Sequence, residues 1–125
     1  MVAALNNKEI TVYGTGEQTR CFTYIDDVVK GLLPCMNPAY DKQVFNIGTT
    51  HRININELAY KIKRLSNSSS PIVNVSYVKA YGPGYEDMKD RLPDISKAGL
   101  MLGYKPQVDI EQGLLTTISW YKNVN

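Results

Sequence analysis

Asn54 followed three residues later by Glu57 is the pattern that most constrains this chain. The asparagine side chain can accept an orphan amide of a first helical turn while the glutamate reaches back, and Ile55, Leu58, Ile62 and Leu65 then recur on one helical face. A helix with a single apolar stripe must bury it against another element. The sequence offers short β-branched or aromatic runs for this: Ile10 to Tyr13, Cys21 to Ile25, Val44 to Ile47 and Ile72 to Val78. About four strands and four helices in mixed order are predicted, an α/β arrangement whose strands are too few and too short for a self-contained doubly wound sheet.

The other helices carry their own punctuation. Asp26 can cap a helix bearing Val28, Val29, Leu32, Leu33 and Met36, which Pro34 should kink or end. Asp94 reads as the cap of a short helix whose face is Ile95, Ala98 and Leu102, with Gly103 supplying the left-handed residue that ends it. Asp109 with Gln112 repeats the capping-box spacing, and Leu114, Ile118 and Tyr121 line the inner side of the last helix with Trp120 beside them. Ser66 to Pro71 reads as a polar, flexible connector, and Tyr81 to Lys89 as a loop.

Composition narrows the function classes. The 125 residues carry 14 basic and 12 acidic side chains for a net charge of +2, so no broad field attracts nucleic acid or an anionic membrane, and any anion must be met locally. No apolar run approaches a bilayer span and the first residues lack signal-peptide form, which leads to the expectation of a cytoplasmic chain with residues 1–125 as one domain. Cys21 and Cys35, with no second pair at metal spacing, read as reduced structural thiols. The sequons at Asn67 and Asn74 read as chance matches.

Chemistry is sparse. Gly14-Thr15-Gly16 has Thr19 where a third dinucleotide-motif glycine would fall, and it leads into a strand where a helix N-terminus is needed. His51 is the only histidine, so no Ser-His-Asp triad or histidine-rich metal site can be assembled. Tyr85 to Lys89 matches Tyr-x-x-x-Lys, in which lysine lowers a phenol's pKa, but Gly82-Pro83-Gly84 upstream argues for a loop where that mechanism needs a helix. Two arginines stand beside turns: Arg91, before the Pro93 turn, and Arg20, after Gly14 to Thr19. A rigid guanidinium so placed can grip a phosphate, and two of them suit a diphosphate. The alternatives are Arg91 solvated or paired with Asp90 or Glu86, Arg20 paired with Glu17 or Asp27, and Tyr13 in the core.

Four motifs in order resemble the C-terminal part of the extended short-chain dehydrogenases, the NAD-dependent nucleotide-sugar epimerases, dehydratases and decarboxylases. They are Thr11 to Val28, Phe45-Asn46-Ile47-Gly48, Arg91 to Ala98 with Leu102 to Pro106, and Gly113-Leu114. The resemblance implies a small mixed α/β substrate-binding lobe lacking the N-terminal Rossmann domain. Thr11 and Tyr13 would lie along the nucleobase and ribose, and Arg20 and Arg91 would hold the diphosphate of a UDP- or dTDP-sugar. It assigns this chain no catalytic residue, no metal and no cofactor of its own. NAD and the catalytic Tyr-x-x-x-Lys would belong to the parent enzyme, before residue 1. The partners implied are the sugar nucleotide, the Rossmann domain and a second copy in a homodimer. Ala80 to Met88 before Arg91 resembles epimerases, so the parent reaction expected is 4-epimerisation through a 4-keto intermediate. UDP-glucuronate decarboxylation, 4,6-dehydration and a stand-alone nucleotide-binding or interaction module are the alternatives.

Overall fold

The computed structural model describes residues 1–124. Its elements are α1 (Val2–Leu5), β1 (Ile10–Tyr13), β2 (Thr19–Arg20), α2 (Ile25–Leu32), β3 (Ile53–Asn54), α3 (Ile55–Leu65), β4 (Ile72–Val75), α4 (Tyr77–Tyr81), α5 (Ser96–Leu102) and α6 (Ile110–Val124), with two 3-10 turns at Leu33–Met36 and Pro38–Tyr40. The chain forms two compact units, one of Met1–Arg20, Ile53–Arg91 and the residues from Leu114, the other of Cys21–Arg52 and Leu92–Gly113.

In the first unit β1 and β4 run parallel, with Ile10 opposite Ile72 and Tyr13 opposite Val75. Ile10 and Val12 point into a core with Ala4 of α1 and Ala59 of α3, and Ile55, Ile62 and Ile72 pack around it. Thr11 and Tyr13 face the other way, because successive strand side chains alternate. Asn54 caps α3 as the spacing predicts, its Oδ1 accepting the Glu57 amide at 2.7 Å. It also pairs with Thr19 in the short antiparallel ladder of β2 and β3. A parallel bridge joins Thr19 to Asp90, and the Thr19 hydroxyl donates to the Asp90 carboxylate at 2.6 Å.

Several local expectations change here. The strand from Ile72 stops at Val75, because the Ser76 hydroxyl accepts the Lys79 amide and opens α4. The serine connector is tied down: Asn7 Oδ1 accepts the Ser69 amide at 3.0 Å, and Ser70 is fully buried. On α6, Leu114 and Ile118 are buried as expected, but Trp120 is 61% exposed.

The second unit is mostly helix and extended chain. The predicted strand after Arg20 does not form: Cys21 to Tyr24 is irregular, and α2 begins at Ile25 with Tyr24 as its cap. Asp26 therefore lies in the first turn and is exposed, while Asp27 turns inward and is 1% exposed. Asp27 Oδ2 accepts the amides of Gln107 and Val108, each at 2.8 Å. Pro34 ends the α-helix at Leu32 by converting it to a 3-10 turn. Val44 to Ile47 is not a strand; it is held by side chains, with Lys97 Nζ donating to the Val44 carbonyl at 3.0 Å and lying 4.9 Å over the Phe45 ring. Helix α5 starts one residue later than read, with Ile95 as cap, although the Asp94 carboxylate still accepts the Ser96 amide at 2.9 Å. Gly103 ends it at φ +65°. Among the described residues no helix is long and apolar enough to cross a membrane.

Candidate functional site

A cleft of about 190 Å³ opens in the first unit on the side of β1 away from its core. Thr11 and Tyr13 reach it by strand alternation, Gln18 and Arg20 from β2 and the turn before it, and Ile55 from the start of α3. The remaining wall is aromatic. Tyr77 and Tyr81 come from α4, and Tyr85 from the loop that follows it. The Tyr81 and Tyr85 rings stack at 4.5 Å, and Tyr13 meets Tyr81 at 5.4 Å in a tilted contact. Tyrosine faces exposed in this way offer flat apolar area with few rotamers to lose on binding.

A continuous polar chain runs along the floor. Gln18 Nε2 donates to the Tyr13 carbonyl at 3.0 Å and to the Tyr77 hydroxyl at 2.8 Å. The Tyr77 hydroxyl donates to Asp87 Oδ2 at 3.0 Å, and Asp87 Oδ1 accepts from Arg20 Nη2 at 2.6 Å. Arg20 Nη1 also donates to the Thr19 carbonyl at 2.6 Å. Burial pushes the Tyr77 phenol up, and the hydrogen bond to the Asp87 carboxylate raises it further, so it remains a neutral donor. The Arg20–Asp87 pair is half-buried, each side chain 19% exposed, which spares it the full screening of a surface ion pair.

The structure brings Thr11, Tyr13 and Arg20 to one cleft. Arg91 does not line it; its backbone follows Asp90 just as Arg20 follows Thr19, so both arginines step off the same bridged pair. Arg20 is paired with Asp87, not with Glu17 or Asp27, and Tyr13 is 41% exposed and not core. Gln18, Tyr77, Tyr81, Tyr85 and Asp87 also line the cleft and are not singled out by the sequence reading. The dense tyrosine spacing from Tyr77 to Tyr85 is the available signal, hidden because the alternation of Ile72 to Val78 assigns Tyr77 to a strand.

Gly14 and Gly16, both at positive φ, are explained by packing. A Cβ on Gly14 would strike the Tyr77 ring and one on Gly16 would strike the Asn56 side chain. The turn they make leads into β2 and not into a helix, so it does not fit the pyrophosphate of a dinucleotide. Tyr85 to Met88 is irregular, which leaves no helix to set Lys89 one turn from Tyr85.

The family described as GDP-mannose 4,6 dehydratase matches residues 1–117 of this chain. The chain belongs to the NAD-dependent nucleotide-sugar epimerase/dehydratase family. Among curated relatives of this epimerase/dehydratase chain, the UDP-N-acetyl-alpha-D-glucosaminuronate decarboxylase of Bacillus cytotoxicus is 40% identical, over 98% of this chain and 38% of the relative. Among solved structures, the UDP-glucose 4-epimerase of Thermotoga maritima with UDP-glucose aligns with a TM-score of 0.85 at 30% identity, covering 98% of this chain and 37% of that one. The UDP-glucuronic acid 4-epimerase of Bacillus cereus, in complex with UDP-glucuronic acid and NAD, aligns at 0.82 with 29% identity, over 98% of this chain and 38% of that one. The mixed α/β chain therefore has the epimerase/dehydratase fold and spans under two-fifths of the length of these proteins.

Proposed function

We propose that residues 1–125 act as a single sugar-nucleotide-binding lobe within a larger NAD-dependent enzyme. The observation that carries this reading is that Thr11, Tyr13 and Arg20, widely different in chemistry, line one cleft. Thr11 and Tyr13 hold the nucleobase and ribose, and Arg20 and Arg91 hold the diphosphate, a ligand that needs charge-assisted donors from more than one direction. The nucleotide is a UDP- or dTDP-sugar; UDP is favoured because all three relatives described above carry it in their names. None of this chain's residues is assigned a proton or hydride transfer, so the lobe by itself binds and orients without turning over. The chemistry belongs to the rest of the parent, where NAD acts as the hydride acceptor. That remainder would dock on apolar surface such as Ile25, Val29, Leu32, Leu33 and Met36, all exposed at helical spacing along α2 and the turn after it.

For the parent reaction we infer 4-epimerisation through a 4-keto sugar, supported by the resemblance of Ala80 to Met88 and by the alignment with two 4-epimerases. Uronate decarboxylation is the second reading, favoured by the 40% identity to a decarboxylase. Calorimetric titration of the chain with UDP-glucose, UDP-glucuronate and dTDP-glucose, each with and without NAD, tests the lobe assignment. Binding of UDP-sugars that NAD leaves unchanged is the expected result. NAD binding by this chain alone, or no response to any of the three nucleotides, would sink it.

A further inference from the structure

Arg20 and Asp87 are the only charged side chains lining the cleft among the described residues, and they lie 2.6 Å apart, so the resting site is formally neutral. A cleft meant for a diphosphate thus has its cation already covered by an internal anion. The segment bearing that anion is hung in a particular way. Gly82 and Gly84 sit at φ +90° and +85° with open space where a Cβ would be, so they serve backbone freedom and not close packing. At its far end the segment is fixed by the Thr19 amide donating to the Lys89 carbonyl at 2.9 Å and by the Thr19–Asp90 bridge. Its middle is held by the Tyr85 ring on Tyr81 and by Asp87 on Arg20 and Tyr77.

We propose that Asp87 is a binding-site residue that sets the affinity of the phosphate position, an internal counter-anion that occupies Arg20 in the cleft and yields it to a phosphate. This rests on the nucleotide-binding reading of the same cleft. A phosphate can replace the carboxylate on the guanidinium because it brings negative charge of its own and adds more, whereas a neutral hydroxyl brings none to offset the lost ion pair. Asp87 does not become stranded when it gives way, since its other oxygen keeps the Tyr77 hydroxyl. The positive-φ glycines let the segment from Gly82 to Asp87 shift with it.

Calorimetry on the full 125-residue chain with UDP and with uridine tests the inference. Asp87→Asn is expected to tighten UDP by about threefold to tenfold, the worth of the released ion pair, and to leave uridine unchanged. Asp87→Ser provides a second variant should the first melt early. Glu86→Gln, on the exposed neighbour, controls for the general loss of negative charge and is expected to change UDP affinity by under about twofold. In an Arg20→Gln background the gain from Asp87→Asn should vanish. Weaker or unchanged UDP binding by both Asp87 variants, or an equal gain from Glu86→Gln, overturns the inference while the site reading stands. Failure of wild type and Asp87→Asn alike to bind UDP overturns both.

Discussion

Asp27 in the second unit and Asp87 in the first are the same side chain put to opposite uses. Asp27 is 1% exposed, spends one oxygen on two backbone amides at 2.8 Å, and has Lys30 at 3.8 Å from the other. Its bonds join the start of α2 to Gln107 and Val108, segments 80 and 81 residues away, so it fastens chain to chain. Asp87 is half-buried on an irregular loop, and both of its partners are side chains that line a cleft. A buried carboxylate that satisfies two partly buried amides cannot leave without orphaning them. One that pairs with a partly solvated arginine can. The second unit uses its buried charge to hold its chain segments together, while the first leaves its charge pair lining an open cleft.

The sharpest way to break that contrast is to remove each acid. Asp27→Ala is expected to cost about 2 kcal/mol or more in urea denaturation, because two partly buried amides lose the charged acceptor that joins them to α2 and a cavity replaces a buried side chain. Asp87→Asn should cost about 1 kcal/mol or less, the range of a partly screened ion pair. Comparable losses from the two would erase the distinction. Next in size, Arg20→Gln should weaken UDP by about tenfold or more in calorimetry while shifting stability by no more than about 1 kcal/mol. A variant that unfolds and still binds in proportion to its folded fraction would show Arg20 to be structural.

Asn54→Ala probes the scaffold of the first unit and not its cleft. Loss of the cap on α3 should lower stability by about 1 kcal/mol with UDP affinity per folded molecule unchanged. The smallest effect expected is at Asp94, a third carboxylate, which is exposed and caps locally. Hydrogen bonds from the Ser96 hydroxyl and amide hold it below the ordinary carboxylate value. Because the folded value is the lower one, its contribution is present above the unfolded pKa and is lost as pH falls from the ordinary carboxylate range through the folded value. The Ser96 amide resonance should titrate over that interval, and Asp94→Asn should abolish the titration.

What could be read from the chain alone follows from distance along it. The caps at Asn54 and Asp109, the left-handed Gly103 and the stop at Pro34 involve partners within about one turn, and each stands where the spacing put it. The same locality misled where two local patterns competed. Ile72 to Val78 alternates like a strand, yet Ser76 caps a helix in the middle of it. Val44 to Ile47 has strand-forming residues, but a strand exists only where a neighbour pairs with it, and there the bonds come from Lys97.

The sequence by itself determined that β1 sends Thr11 and Tyr13 to one side and Ile10 and Val12 to the other, since that depends only on the two-residue period of a strand. Only the tertiary structure decided which acid would meet Arg20. Glu17 and Asp27 lay close by in the chain, but the partner is 67 residues away, delivered by the pairing of β1 with β4 and the bridge from Thr19 to Asp90. Charge alone gives no preference among acids of equal strength; the route of the backbone brings one of them within 2.6 Å.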